Sequence, residues 1–465
     1  MAVLPDTLKV LEDTYVFPPP GSVPTTSLPL TFFDIHWLGS SPMQRLLFYD
    51  FPYPTFYFTQ STLPNLKRSL SLTLQHFFPL AGNLVFPPPP QKPYILYKEG
   101  DSVPFIAKES TADFSHLIGD HARHVQEFQA LLPKLKPAST YSHSTTSTAC
   151  MQKPLMAIQV TLFPKAGICV GATFNHVAAD GKAFTHFMKS WASAHRSQGD
   201  LMTCLNKSLP DYNKDWIKDP LGLASIFMKD KWNWEDLDSI PYDKFRVTFV
   251  IKRSQVELLK NWVTRKCMEE NGSETLRTST FVVTCAYMWV CLVQLRESGT
   301  HDLSSTDSYN MLCHFIFLAD CRDRLKLPAT YFGNCLEPRF AAAKKSELLG
   351  GKGILLAAKA IGREVMELEK GALREAEKWL SRAEEIFKFG RHVCIAASPK
   401  LRVYETDFGW GRPIKTEVAH IGSFGSISMA ESREEEGGVE FGLALAQDEL
   451  DSFNAVFEQG LLKLQ

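Results

Sequence analysis

Two stretches of this 465-residue chain space a histidine and an aspartate four residues apart, FNHVAADGKAF with His176 and Asp180, and HLIGD with His116 and Asp120. A neutral imidazole, with an unperturbed pKa near ~6.5, can take a proton from a hydroxyl or amine as that group attacks, and return it to a leaving group. That role needs no covalent intermediate. A carboxylate that begins a helix caps free N–H groups and sits at the positive end of the dipole. With 13 histidines in the chain, an HxxxD arises by chance roughly once, so the pattern alone decides nothing.

The flanking elements separate the two copies. MAIQVTLFP and GICVGATF, ahead of His176, read as adjacent strands joined by the turn Lys165-Ala166-Gly167. After it, Phe184, Phe187, Met188, Trp191 and His195 recur at helical spacing, so one helix face packs inward. His176 therefore sits at a strand-to-helix turn, and Gly181 permits a tight start. His116 has neither the apolar strand before it nor the amphipathic helix after it, and reads as coincidental surface sequence. On these residues alone, a structural His176 and a catalytic one remain level.

Other chemistries find no support in the motifs. There is no GxSxG elbow, HExxH, Walker A or GxGxxG, and the ten scattered cysteines include no CxxC pair, so no metal site is expected. They read as reduced, packed thiols of a cytoplasmic protein. A formal charge of -1 argues against nucleic acid or an anionic membrane as partner and favours a small substrate. The N-terminus lacks the basic and apolar pattern of a signal peptide. The apolar run at 280–293 is too short to span a bilayer and reads as a buried helix.

The length suits two domains. The region 197–240, rich in Asp, Lys, Asn and Pro, reads as a crossover linker between an N-terminal part (1–196) and a C-terminal part (241–465). FRVTFVIKR and HFIFLADCR read as strands, GSISMA and VEFGLALA as a hairpin around ESREEEGG, and the last residues as a helix. REVMELEKGALREAEKWLSRAEEIFK reads as solvated helix faces.

A second improbable word, DFGWG at 407–411, follows ASPKLRVYET, and YFGNC closes ADCRDRLKLPATYFGNC. HVAAD, YFGNC and DFGWG, in this order and separation, resemble the plant acyl-CoA-dependent acyltransferases of the BAHD family, over essentially the whole chain. The resemblance implies an α/β fold of two chloramphenicol-acetyltransferase-like domains, each a mixed sheet with helices, with a central solvent channel. His176 would stand at its centre, deprotonating an acceptor hydroxyl that attacks the thioester of acyl-CoA. The enzyme would be an acyl-CoA-dependent O-acyltransferase with no permanently bound cofactor, acting as a monomer.

The resemblance also assigns roles. Asp180 would pair with Arg322, or failing that Arg324, and aim the imidazole; membership of a catalytic triad is the alternative. Asp407 would lie in a loop that the family counts as essential for activity, either structural or in proton transfer, with Gly409, Trp410 and Gly411 shaping it. Ser279 and Thr280 would meet the nucleotide end of CoA, with Lys260 as a phosphate partner or merely a solvated lysine. Ser398 and Lys400 would line the same mouth, and Gly333 and Asn334 would form a turn shaping the channel rather than chemical groups. YFGNC with NHVAADGK is most similar to the branch acylating anthocyanin and flavonoid glycosides. A phenolic glucoside acceptor and malonyl-CoA follow, with hydroxycinnamoyl-CoA behind it and Lys182, Arg322 or Arg339 as the cation for a malonyl carboxylate. Other alcohol or amine acceptors, and a non-catalytic binding protein of the same fold, are the alternatives.

Overall fold

A computed structural model describes residues 8–142, 149–198, 208–229, 243–271, 277–298, 311–421 and 426–464. The fold is mixed α/β. One six-stranded sheet runs in the order Leu8–Val16, Val103–Ser110, Met156–Phe163, Gly167–Phe174, Met43–Asp50, Lys415–Val418. Its two central strands are buried at every position, as their apolar runs MAIQVTLF and GICVGATF require when both faces are covered. The helices Leu63–His76 and Gly181–Arg196 pack together in the core on this sheet. The Trp191 indole of the second helix donates to the Leu66 carbonyl and the Ser69 hydroxyl of the first, at 3.2 and 3.1 Å.

A seven-stranded sheet runs Leu336–Lys344, Leu312–Asp320, His392–Ala396, Ser426–Glu431, Val439–Ala446, Lys244–Ile251, Arg123–His124. The helix Thr280–Ser298 behind it is apolar all round and lies among Arg253–Asn271, Gly353–Glu367 and Leu450–Leu462. A uniformly apolar helix of that kind belongs in a core. No helix among the described residues is long and apolar enough to cross a membrane. A further sheet of five short strands, from Thr26–Pro29 to Ser139–Ser142, has no counterpart in the sequence reading.

Each large sheet takes one strand from the other part of the chain. Lys415–Val418 pairs antiparallel with Met43–Asp50, and Arg123–His124 pairs with Lys244–Ile251. Two- and four-residue strands carry too few positions to show a period, so no sequence pattern marks them. The exchange is welded by charge. Arg123 and Arg246 both grip the buried Glu417 carboxylate, at 3.1 and 2.9 Å. Asp120 bridges Lys415 and Arg433 at 2.6 and 2.8 Å, so it is not the idle surface residue that the HLIGD reading implied. His116, its neighbour in that motif, faces His121 and Glu127 instead.

The connection between the halves also differs from a bare linker. Residues 199–207 and 230–242 lie outside the described residues. The stretch between them bridges Asp211 to Tyr331, buries Leu223 and Phe227 in the first core, and sends Lys214 to the buried Asp34 at 3.1 Å. The charged run after Gly353 is broken rather than continuous. Gly371, at φ 117, separates the helix Gly353–Glu367 from Trp379–Lys388.

Candidate active site

The chain leaves the strand Gly167–Phe174, turns through Asn175 and His176, and starts the helix Gly181–Arg196 with Asp180 as its N-cap. The Asp180 Oδ1 accepts from the Ala183 amide at 2.9 Å. Its Oδ2 accepts from the Cys335 amide at 3.1 Å and pairs with the Arg322 guanidinium at 2.8 Å. Arg324, the fallback partner, instead meets Glu337 at 3.5 Å. Arg322 also donates to the carbonyls of Tyr331 and Gly333 and pairs with Asp320. Burial opposes its charge, but the two carboxylates outweigh that and hold its pKa above the ordinary value. One guanidinium thus ties the helix start to the DCR and YFGN segments.

Asn334 is the residue whose role the sequence misassigned. It was expected only to shape a turn, yet its Oδ1 stands 3.0 Å from the His176 Nδ1. Its Nδ2 faces three acceptors, the Asp34 carboxylate at 3.1 Å and the carbonyls of His176 and Val177 at 2.9 and 3.2 Å. Since only the NH₂ group can donate to acceptors, the amide orientation is forced, and Oδ1 must face the imidazole. A carbonyl oxygen takes a proton, so the His176 Nδ1 carries the hydrogen and Nε2 keeps its lone pair. Asp34 is itself anchored by Thr31, Lys214 and the Asn334 amide. Gly333 sits at φ +146, and a Cβ there would come within 2.7 Å of the Lys214 Nζ, so the turn that aims Asn334 needs glycine.

Trp37 completes the setting, its ring stacked on His176 at 3.7 Å and 8°. His176 is 4% exposed. Burial pushes its pKa down to about 4; Asp180 and Asn334 oppose this, and the nearby Arg45 guanidinium adds to it. A base works while unprotonated, so lowering its pKa extends activity towards acid. The expected kcat profile at saturating substrates is flat from neutral pH down and falls only towards about pH 4, not through 6.5. A pH series of kcat checks this; kcat is preferred to kcat/KM because the phosphates of a free CoA ester titrate near neutrality.

A second expected outcome concerns Asn334. Asn334→Ala removes the acceptor that fixes the His176 tautomer and the Nδ2 donor shared by the Asp34 carboxylate and the carbonyls of His176 and Val177. A base in the wrong tautomer and out of aim loses rate, so kcat should fall roughly 10- to 100-fold. Steady-state kinetics should find the donor KM little changed, which separates loss of aim from loss of binding.

Asp407 lies elsewhere. Its Oδ1 accepts from the amides of Gly409 and Gly411 at 2.7 and 3.0 Å, and its Oδ2 meets Arg196 at 3.2 Å. Arg196 ends the helix that Asp180 begins. At about 1.5 Å per residue that helix sets Asp407 roughly 20 Å from the turn that carries the imidazole, and the contacts of Asp407 favour the structural of the two roles open to it. Gly409 and Gly411 sit at φ +95 and +91, where the loop could not take other residues without strain. Phe408 packs edge-on to Trp191, and Trp410 against Tyr49 and Phe51. Two aspartates therefore pin the two ends of one helix.

The residues expected to meet CoA are not at the imidazole. Ser279 caps the helix Thr280–Ser298 through the Val282 amide at 3.3 Å, and the Thr280 carbonyl accepts from Thr284. Lys260 pairs with Glu257 on its own helix at 2.8 Å, one turn before Thr264, which touches Thr278. Lys260 and the Ser279 turn thus share one corner. Ser398 accepts from the Lys400 amide at 3.3 Å in a turn whose Leu401 lines a cavity together with Arg45, Phe184 and Met188. The three cations expected for a donor carboxylate are all taken: Lys182 by Asp320, Arg322 by Asp180 and Asp320, and Arg339 by Glu364.

The family described as the Transferase family matches residues 7–460. The chain belongs to the BAHD acyltransferase family. This BAHD chain is 39% identical over 468 residues to coumaroyl-CoA:anthocyanidin 3-O-glucoside-6''-O-coumaroyltransferase 1 of Arabidopsis thaliana, covering 98% of each protein. It is 36% identical to malonyl-coenzyme A:anthocyanin 3-O-glucoside-6''-O-malonyltransferase of Dahlia pinnata, over 98% of this chain and 97% of that one. Vinorine synthase shares the fold, with a TM-score of 0.69 over 98% of both chains at 18% identity. The protein is accordingly an acyl-CoA-dependent O-acyltransferase, with acyl-CoA as co-substrate.

Proposed function

We propose that this BAHD protein transfers an acyl group from acyl-CoA directly to a sugar hydroxyl of a phenolic glycoside, with His176 as general base and malonyl-CoA as donor. The observation that carries the mechanism is the forced orientation of the Asn334 amide, which leaves the His176 Nε2 bare. The sugar O–H gives its proton to Nε2 as its oxygen bonds to the thioester carbonyl carbon. The tetrahedral intermediate then breaks its C–S bond, and the departing thiolate recovers the proton from the imidazolium. Asp180 and Arg322 touch no reacting atom in this scheme; they fix the turn that carries the base. No disulfide joins any of the nine described cysteines, which supports a reducing, cytosolic setting.

The acceptor and donor rest on the relatives, several of which are named as malonyltransferases acting on anthocyanin or phenolic glucosides. A second reading, p-coumaroyl as the acyl group, is favoured by the 39% identity to coumaroyltransferases and by the apolar cavity wall of Phe184, Met188, Leu401 and Met429. Thiol release measured with malonyl-CoA and with p-coumaroyl-CoA, each with cyanidin or quercetin 3-glucoside, decides between them. Malonyl-CoA consumption with a malonylated glucoside is the expected result. Turnover with p-coumaroyl-CoA alone moves the donor to the second reading, and no turnover with either donor overturns the acceptor class.

A further inference from the structure

We propose that Arg45 is the cation that binds the terminal carboxylate of the acyl donor and so sets the donor's chemical class. This rests on the reading of the donor as a dicarboxylic acyl-CoA. Arg45 lies on the strand Met43–Asp50, opposite Ala172 of the strand that leads to His176 on one side and Val418 on the other. It lines the cavity enclosed by that strand, the helix Gly181–Arg196 and the exchanged strand Lys415–Val418. Its charge reaches both His176 and His420.

What distinguishes Arg45 is the state of its fork. Its Nη1 is held by the Gln44 carbonyl at 3.1 Å and by the His420 Nδ1 at 3.2 Å. Among the described residues, no carboxylate lies within ion-pair distance of it, and Nε and Nη2 make no hydrogen bond. The one carboxylate on the neighbouring strand, Glu417, is already shared by Arg123 and Arg246. Burial, with Arg246 nearby, lowers the Arg45 pKa to about 10, which still leaves it charged at neutral pH.

A half-buried guanidinium that lines a cavity, with no carboxylate beside it among the described residues, keeps an open edge on which an anion can be taken. Its planar fork suits a carboxylate taken through two parallel N–H···O bonds. Near the reacting carbonyl the donor offers one such group. In malonyl-CoA a carboxylate stands a single methylene beyond the thioester carbonyl, whereas the CoA phosphates lie at the far end of the pantetheine arm. A neutral sugar hydroxyl acceptor brings no anion of its own.

The test compares malonyl-CoA with acetyl-CoA, which lacks only the carboxylate, using one glucoside acceptor and the intact chain, Arg45→Gln and Arg45→Lys. Acetyl-CoA turnover is the internal control for folding and for the base. The expected result is that the malonyl-to-acetyl ratio of kcat/KM falls about 10- to 100-fold in Arg45→Gln and is partly restored in Arg45→Lys, which keeps charge without the fork. An unchanged ratio, or equal losses with both donors, overturns the assignment and leaves the malonyl reading standing. If the intact chain uses p-coumaroyl-CoA and not malonyl-CoA, the donor reading falls and the assignment with it.

Discussion

Asp180→Ala should lose about 3–5 kcal/mol of stability, the cost expected when one member of a buried ion pair is removed. The Asp180 and Arg322 side chains are 0% and 1% exposed, so truncation leaves a guanidinium in the core. Asp320 remains beside it at 2.9 Å, but that carboxylate is 34% exposed and also pairs with Lys182 at 2.8 Å, so it compensates only in part. The same change removes the helix cap at Ala183 and the acceptor of the Cys335 amide. Asp180→Asn keeps the volume and a cap oxygen but loses the charge and turns an NH₂ group towards the Cys335 amide and the Arg322 guanidinium, so it should also be destabilised while sparing the cap. Urea titration of the three proteins gives the order, and activity should follow it, because Asp180 acts on chemistry only through the placement of His176. If Asp180→Ala kept full stability yet lost all turnover, a direct proton role would have to replace this one.

His176→Ala should lower the rate of acyl transfer by about 10²- to 10⁴-fold, the range that a positioned base contributes. The ring lies between the Trp37 indole and the Asn334 amide, and its replacement leaves the Asp180–Arg322 pair intact. The variant should therefore fold and bind acyl-CoA while failing in the chemical step. His116→Ala, matched in motif but facing His121 and Glu127, should leave turnover near the original rate.

The strand, turn and helix around His176 were legible because each has a strong local signature. Two apolar runs precede the turn, an apolar stripe follows it, and Asp180 stands at the helix start. Its salt bridge to Arg322 came instead from the family resemblance. The groups that tune the base were not legible. Asn334 lies 158 positions from His176 and Asp34 lies 300 from Asn334, distances at which spacing carries no information. The signal available for Asn334 was the glycine before it, whose positive φ is what turns the amide inward. Trp37 and Asp34 sat in plain view in FFDIHWL, yet nothing in a short polar and aromatic run says which side chain reaches the site. Arg45 is one arginine in an ordinary strand, distinguished only by what the fold denies it. Asp407 stands in an unusual word, and its contacts, with its own loop and with Arg196 at the far end of the helix, agree with the structural of its two readings.

The central claim is that His176 acts as a base in direct transfer, without an acylated enzyme. Intact-protein mass spectrometry during a single turnover, first with malonyl-CoA alone and then with the glucoside added, tests it most directly. The account predicts an unchanged protein mass throughout, with malonylated glucoside formed in one phase that slows by at least about 10²-fold in His176→Ala. A protein species heavier by one acyl group, formed from the donor alone and consumed when the glucoside is added, would contradict it.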